Sequence, residues 1–93
     1  MKQEHKEILY KALGYYGFDT ECIVAIEEMA ELTKELCKYR RSKGDLNHIA
    51  EEIADVTVML EHLKAFFNLD EDVENFIEQK VDRLKNRMIN HND

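Results

Sequence analysis

Two acidic segments of this chain have the spacing of a divalent-metal site. Glu28 and Glu31 are three positions apart, and so are Glu52 and Asp55. Carboxylates at positions i and i+3 lie on one face of an α-helix, so two such helices packed side by side would bring four hard oxygen donors together. Negative charges gathered in this way repel one another, and the pattern therefore predicts a bound cation.

The positions of the two pairs relative to a break in the helical pattern support this prediction. The midpoints of the two pairs are equally far from the Arg41–Ser42 peptide bond, within the segment Arg41-Ser42-Lys43-Gly44. A short connection favours antiparallel neighbouring helices, and equal distances from it place the two pairs at the same height. The sequence thus predicts one four-carboxylate cluster between the second and third helices.

The ligand types indicate which cation and which chemistry to expect. Oxygen donors at this density suit Mg²⁺, with Mn²⁺ as a substitute, and Mg²⁺ commonly binds substrate phosphate oxygens as well. The expected reaction is hydrolysis of a phosphate ester or anhydride. A single pair of this kind is also common on solvated helices, where it has no ligand. A di-iron bundle is disfavoured, because no glutamate is followed three residues later by histidine.

The chain is predicted to be all-α and to form a single domain over residues 1–93. It has no proline and three glycines, and its apolar residues recur at helical spacing over about 2–15, 20–41, 46–67 and 71–88. Asp19 or Thr20 is the expected cap of the second helix, and Asp45 that of the third. Residues 89–93 are expected to fray. So short a chain builds a small core, which favours a homo-oligomer.

Charge and cysteine usage exclude several classes of partner. A formal charge of −7 disfavours nucleic acid and anionic membranes, which attract basic surfaces. No apolar stretch has the length of a membrane span or of a signal peptide. Cys22 and Cys37 are about 22 Å apart along one predicted helix and cannot bond to each other there. We therefore expect a cytoplasmic protein.

Basic residues on the fourth predicted helix are candidates for phosphate binding. Lys80, Arg83 and Arg87 share one face by the i, i+3, i+7 rule. A lysine and forked arginines suit a triphosphate, although basic residues also stabilise the end of a helix through its dipole. The aromatic side chains near the helix ends could stack a base, but packing is the more common role. They are Tyr15, Tyr16, Phe18, Phe66 and Phe67.

The acidic segments resemble the EExxE…ExxD motif of the all-α nucleoside triphosphate pyrophosphohydrolases. This superfamily comprises MazG-like proteins, dimeric dUTPases and phosphoribosyl-ATP pyrophosphohydrolases. The first half of the motif reads Glu27-Glu28-Met29-Ala30-Glu31, and after twenty residues the second reads Glu52-Ile53-Ala54-Asp55. The amino-acid sequences of both halves look much like those of MazG relatives, and the resemblance spans about residues 18–88.

The resemblance implies a fold, an activity and a set of site residues. The fold would be a MazG-like bundle of four to five helices, assembled as a homodimer or tetramer. The activity would be Mg²⁺-dependent hydrolysis of a nucleoside triphosphate between its α and β phosphates, giving a nucleoside monophosphate and pyrophosphate. The metal ligands would be Glu28, Glu31, Glu52 and Asp55. The catalytic group would add Glu27, as a base or as a residue orienting a ligand, and the substrate-binding residues would be Lys80, Arg83 and Arg87.

A second class of function is compatible with the same residues. The chain could be a non-catalytic helical dimerisation or regulatory module, or a degenerate family member that still binds nucleotide. In either case the acidic side chains would be a solvated surface, or a site without turnover. Glu27 has a similar alternative, as a solvated partner of a neighbouring basic side chain. A metal titration separates the two classes.

Overall fold

The chain folds into four α-helices in the computed structural model, which describes residues 1–92 and the side-chain burial of residues 1–90. The helices are α1 (Gln3–Tyr16), α2 (Phe18–Arg40), α3 (Leu46–Phe67) and α4 (Asp70–Asn92). The described residues contain no strand. The all-α prediction is confirmed, as expected for a sequence without proline and with few glycines.

The start of α3 agrees with the sequence prediction, whereas the start of α2 does not. Asp45 caps α3, because its side-chain Oδ1 accepts a hydrogen bond of 2.7 Å from the Asn47 amide. The predicted caps Asp19 and Thr20 are wrong, because α2 already begins at Phe18. Gly17 makes this early start possible: its φ of 87° turns the chain between α1 and α2, and its N–H bonds to the Leu13 carbonyl at 3.0 Å.

The last helix is longer than the sequence prediction. It begins at Asp70 and continues past Met88 to Asn92, so residues 89–92, which were expected to fray, are helical. The sequence has no proline or glycine after Met88 that would end the helix. Asp93 lies outside the described residues.

Helices α2 and α3 form the main packing interface, and the turn between them fixes their alignment. Gly44 passes so close to α2 that a Cβ atom there would lie 2.6 Å from the backbone N and Cα of Tyr39. Ser42 adopts a left-handed conformation with φ of 60° in the same turn. Only a residue without a side chain fits at position 44, so the chain can turn closely against the end of α2 before α3 begins.

A buried polar contact joins the far ends of α2 and α3. His62 Nδ1 lies 2.5 Å from Glu21 Oε2, and both side chains are almost fully buried. These two residues are equally far from the Arg41–Ser42 bond, on opposite sides of it. Polar groups are rarely buried without a partner, so this contact favours the register that brings Glu21 and His62 together.

The apolar core of the single chain is small. Among residues 1–90, Ala25 and Met59 are the buried apolar side chains. Helix α1 packs against α2 and α3, whereas α4 contacts α3 and, in the described part of the chain, neither α1 nor α2. None of the helices within residues 1–92 is both long and apolar enough to cross a membrane.

The same substitution at two glycines should have opposite effects on stability. Gly44→Ala should lower the free energy of unfolding by about 1–3 kcal/mol, because the new methyl group overlaps the Tyr39 backbone. Gly14→Ala should raise it by up to about 1 kcal/mol, because Gly14 lies in α1 with no atom near its missing Cβ. Urea unfolding monitored by circular dichroism measures both changes. Equal effects of the two substitutions would contradict the role assigned to the turn.

Candidate metal centre

Three of the four predicted ligand carboxylates meet between α2 and α3. Glu28, Glu52 and Asp55 each offer an oxygen atom, and these oxygens all lie within 4.8 Å of one another. Glu28 and Asp55 are equally far from the Arg41–Ser42 bond, as are Glu21 and His62. The register that buries the Glu21–His62 pair therefore also brings Glu28 opposite Asp55.

The remaining predicted acidic residues lie around this group of three. Glu31 is exposed and its oxygens do not belong to the group, although its charge raises the pKa of both Glu28 and Glu52. Glu27 is exposed on α2 next to Glu28. The four-carboxylate prediction therefore becomes three converging carboxylates with a fourth within electrostatic reach.

Burial and mutual repulsion raise the pKa values of two of the three carboxyls. Desolvation is the largest cause for Glu28, followed by the hydrogen bond that its protonated carboxyl donates to Asp55 and by the charge of Asp55. Desolvation also comes first in raising the pKa of Glu52, followed by the charges of Asp55 and Glu31. The fully ionised cluster is thus unfavourable without a compensating positive charge.

The apolar surroundings explain the desolvation. Ala25 lies one helical turn before Glu28, and Met59 lies one turn after Asp55, and both are buried. Glu28 and Glu52 are themselves half-buried. The carboxylates therefore stand at the edge of the small core, where water solvates them less well than on an open helix face.

Glu52 provides a second indication of a missing positive charge. Its Oε2 atom has less than 1 Å² of exposed surface and no hydrogen-bond partner among the described residues. A buried carboxylate oxygen without a donor costs free energy. A cation between Glu28, Glu52 and Asp55 would satisfy it, so this donor set fits a hard divalent ion such as Mg²⁺.

The predicted substrate-binding residues lie on α4, and the acidic group lies on α2 and α3. Lys80, Arg83 and Arg87 are exposed on α4, the helix that contacts only α3 within the described chain. A groove separates the two helices, and Thr57 of α3 and Ile77 of α4 both line it. A single chain therefore brings the acidic group together on α2 and α3 and carries the basic residues on a separate helix.

The aromatic side chains near the helix ends contact one another. The rings of Phe18 and Phe66 stack with centroids 4.3 Å apart, and Phe67 meets Phe18 edge-on at 5.3 Å. Phe18 is ten residues before Glu28, or about 15 Å along α2. In this arrangement the three rings pack the end of the α2–α3 pair.

The buried pair Glu21–His62 is the feature that sequence reasoning missed. Neither residue belongs to a recognisable motif, and His62 was assigned no role. The signal was nevertheless present, because the rule that aligned the acidic pairs about the Arg41–Ser42 bond also places Glu21 opposite His62. Applied to every polar residue of α2 and α3, the rule would have predicted this contact.

Comparison of the chain with protein-family models, curated proteins and solved structures gives no match. The interpretation of the site therefore depends on its residues and their geometry.

The raised pKa values predict an unusual effect of removing a ligand. Ionisation of Glu28 and Glu52 costs more free energy in the folded chain than in the unfolded chain, because folding raises their pKa values. The stability that these two groups contribute is therefore fully present below about pH 4.5, and it is lost as the pH rises through their folded-state pKa values. Without divalent metal at pH 7, Glu52→Gln should therefore unfold at a higher temperature than the wild type. At pH 4 this difference should disappear.

Thermal unfolding in EDTA, followed by circular dichroism at both pH values, measures this effect. The control is Glu7→Gln, which removes an exposed carboxylate of α1 and should leave the unfolding temperature nearly unchanged. Added Mg²⁺ should stabilise the wild type and not Glu52→Gln, because binding to the folded state alone raises stability. A Glu52→Gln variant that is less stable than the wild type at pH 7 in EDTA would contradict this account.

Proposed function

We propose that this protein is a Mg²⁺-dependent nucleoside triphosphate pyrophosphohydrolase. It would cleave the bond between the α and β phosphates and release a nucleoside monophosphate and pyrophosphate. The observation that carries the proposal is the convergence of Glu28, Glu52 and Asp55 within 4.8 Å, from two helices, at a half-buried site. Carboxylates that served only to keep the surface soluble would lie apart, because bringing them together adds repulsion between their charges.

The three converging carboxylates would hold the ion, with Glu31 as a fourth ligand or as a nearby compensating charge. Mn²⁺ suits the same oxygen donors. When bound, the ion supplies positive charge toward phosphate oxygens and increases the acidity of water. The protein's own part is to fix the ligands, and the Gly44 turn and the Glu21–His62 contact do so by setting the register of α2 and α3.

Glu27 is the candidate for moving a proton. It lies next to Glu28 on α2 and is exposed, so substrate and water can reach it. A carboxylate that is not occupied as a ligand can accept a proton from an attacking water, provided that it is within hydrogen-bond reach. Glu27 would serve as this base or would orient one of the ligands.

The direction of α4 supports a role for its basic residues. Thr57 and Ile77 line the same groove, so α4 returns along α3 toward the acidic group. Asp55 is two residues before Thr57, and Lys80 is one helical turn beyond Ile77. Lys80, Arg83 and Arg87 would bind phosphates from this side, with lysine as a point charge and arginine as a two-pronged donor.

The sequence motif supports the same activity. The EExxE…ExxD pattern resembles that of MazG-like pyrophosphohydrolases, and the residues it marks include all three of the converging carboxylates. We include in the proposal the assembly that the resemblance implies, a homodimer or tetramer, in which a second subunit completes the substrate pocket. The base and sugar of the substrate are left open.

A non-catalytic helical dimerisation or regulatory module is the second candidate. The observation in its favour is the exposed apolar face of α4, which includes Val81 and Leu84. Such a module would need the helices but not the acidic group. Neutralising the carboxylates should therefore abolish the activity of a pyrophosphohydrolase and leave the function of a dimerisation module unchanged.

The assay is pyrophosphate release from a panel of canonical and damaged nucleoside triphosphates in the presence of Mg²⁺. The double variant Glu52→Gln with Asp55→Asn should lose more than about 100-fold in kcat/KM, because it removes two of the ligands. Glu51→Gln is the matched control, since it neutralises the exposed neighbour of Glu52 and should retain activity within about threefold. If the wild type hydrolyses none of the substrates, or if the double variant keeps its activity, the enzymatic proposal fails.

A further inference from the structure

Glu35 is a buried carboxylate of α2 that does not belong to the acidic group. Only 8% of the residue is exposed, and its oxygens are not among those that converge with Glu28, Glu52 and Asp55. It lies seven residues beyond Glu28, or about 10 Å along α2. After desolvation and the charges of nearer carboxylates, the charge of Glu35 also raises the pKa of Glu52. Glu35 is therefore within electrostatic reach of the site without being one of its ligands.

Glu35 holds a cation, Lys38, which lies three residues further along α2. The Lys38 Nζ atom is 3.4 Å from Glu35 Oε1, and 39% of the lysine side chain is exposed. A lysine ammonium group has three donors, so one contact with Glu35 leaves the others free for an anion. A buried carboxylate thus keeps a half-exposed positive charge near the acidic group.

Lys38 shares one face of α2 with two acidic residues of the candidate site. Glu31 is seven residues before Lys38, and Glu27 is four residues before Glu31. Residues at these spacings follow one another along the same side of a helix. This side of α2 therefore carries the candidate base, the fourth carboxylate and the lysine in one row.

The charge of the chain changes sign between Glu35 and Lys38. Residues 26–35 contain four acidic residues and one basic residue, whereas residues 36–44 contain four basic residues and no acidic one. Arg40 and Arg41, which follow Lys38 at the end of α2 and in the turn, are exposed. An anion that reaches out from the acidic group toward the turn therefore enters a region of positive charge, and Lys38 is the first cation that it meets there.

A nucleoside triphosphate is an anion of this kind. Its β and γ phosphates, which would leave together as pyrophosphate, carry most of its negative charge, and one divalent ion neutralises only part of that charge. Sites for nucleoside triphosphates accordingly combine a metal ion with a lysine that binds the outer phosphates. Lys38 offers such a charge from one of the two helices that carry the acidic group.

We propose that Lys38, held by Glu35, is a further substrate-binding residue, which contacts the pyrophosphate end of the triphosphate and directs it along α2 toward the turn. This inference rests on the proposed function and adds to it a cation from α2, besides the basic residues of α4. The other role open to Lys38 is to neutralise Glu35 and nothing more. The two roles differ in whether loss of the lysine weakens the binding of pyrophosphate.

Isothermal titration calorimetry of the full chain tests the contact, with Mg²⁺ alone as one probe and inorganic pyrophosphate in saturating Mg²⁺ as the other. Lys38→Gln should raise the dissociation constant of pyrophosphate about tenfold, because it removes a charge-assisted contact. Lys34→Gln is the matched control, since it removes the same charge from an exposed position of α2 and should change this constant by less than about twofold. The two variants should bind Mg²⁺ alone within about twofold of each other, because neither lysine is a metal ligand.

A double variant keeps the test decisive if the unpaired Glu35 destabilises Lys38→Gln. Glu35→Gln with Lys38→Gln leaves no buried charge without a partner, and it should still bind pyrophosphate at least about fivefold more weakly than the wild type. Equal pyrophosphate affinities of Lys38→Gln and Lys34→Gln, wild-type affinity in the double variant, or a wild type that binds no pyrophosphate would overturn the proposal. Pyrophosphate release from the triphosphate panel decides the proposed function separately, so a wild type that hydrolyses a substrate while Lys38→Gln binds pyrophosphate normally contradicts the role of Lys38 alone.

Discussion

The alignment of α2 with α3 is the constraint on which the rest of the structure depends. The Gly44 turn holds the end of α2 close to the start of α3, and at the other end the buried Glu21–His62 contact favours the observed register. Between these two points the same register sets Glu28 opposite Asp55. A shift of α3 by one residue would rotate its carboxylates away from α2, so the turn and the Glu21–His62 contact position the site without belonging to it.

This alignment has an energetic consequence. Packing brings three carboxylates together at the edge of the core. Desolvation and repulsion between neighbouring carboxylates then raise the pKa values of Glu28 and Glu52. The chain thus carries a locally unfavourable arrangement in a fold whose own apolar core is small. Such an arrangement is common where a ligand relieves it, and a divalent cation would convert the repulsion into coordination.

Much of the α2–α3 pair could be predicted from the sequence, because short-range physics determines it. The Asp45 cap, the break at Arg41–Gly44 and the matched acidic pairs are local signals, and together they place Glu28 with Asp55 and Glu52. The predicted start of α2, after a cap at Asp19 or Thr20, was wrong because the turn at Gly17 lets the helix begin at Phe18. The Glu21–His62 contact was missed because the alignment about the Arg41–Ser42 bond was applied to the acidic pairs alone. The packing of α4 on α3 depends on contacts between residues distant in sequence, which no local pattern indicates.

The central claim is that the group formed by Glu28, Glu52 and Asp55 binds a divalent cation, and paramagnetic line broadening by Mn²⁺ tests it most directly. Substoichiometric Mn²⁺ is added to isotopically labelled protein, and the loss of each backbone amide signal is recorded. The account predicts that the amides nearest these three residues broaden first, and that excess Mg²⁺ restores their signals. Broadening centred on the acidic start of α4 at Asp70–Asp72, or no selective broadening, would contradict it.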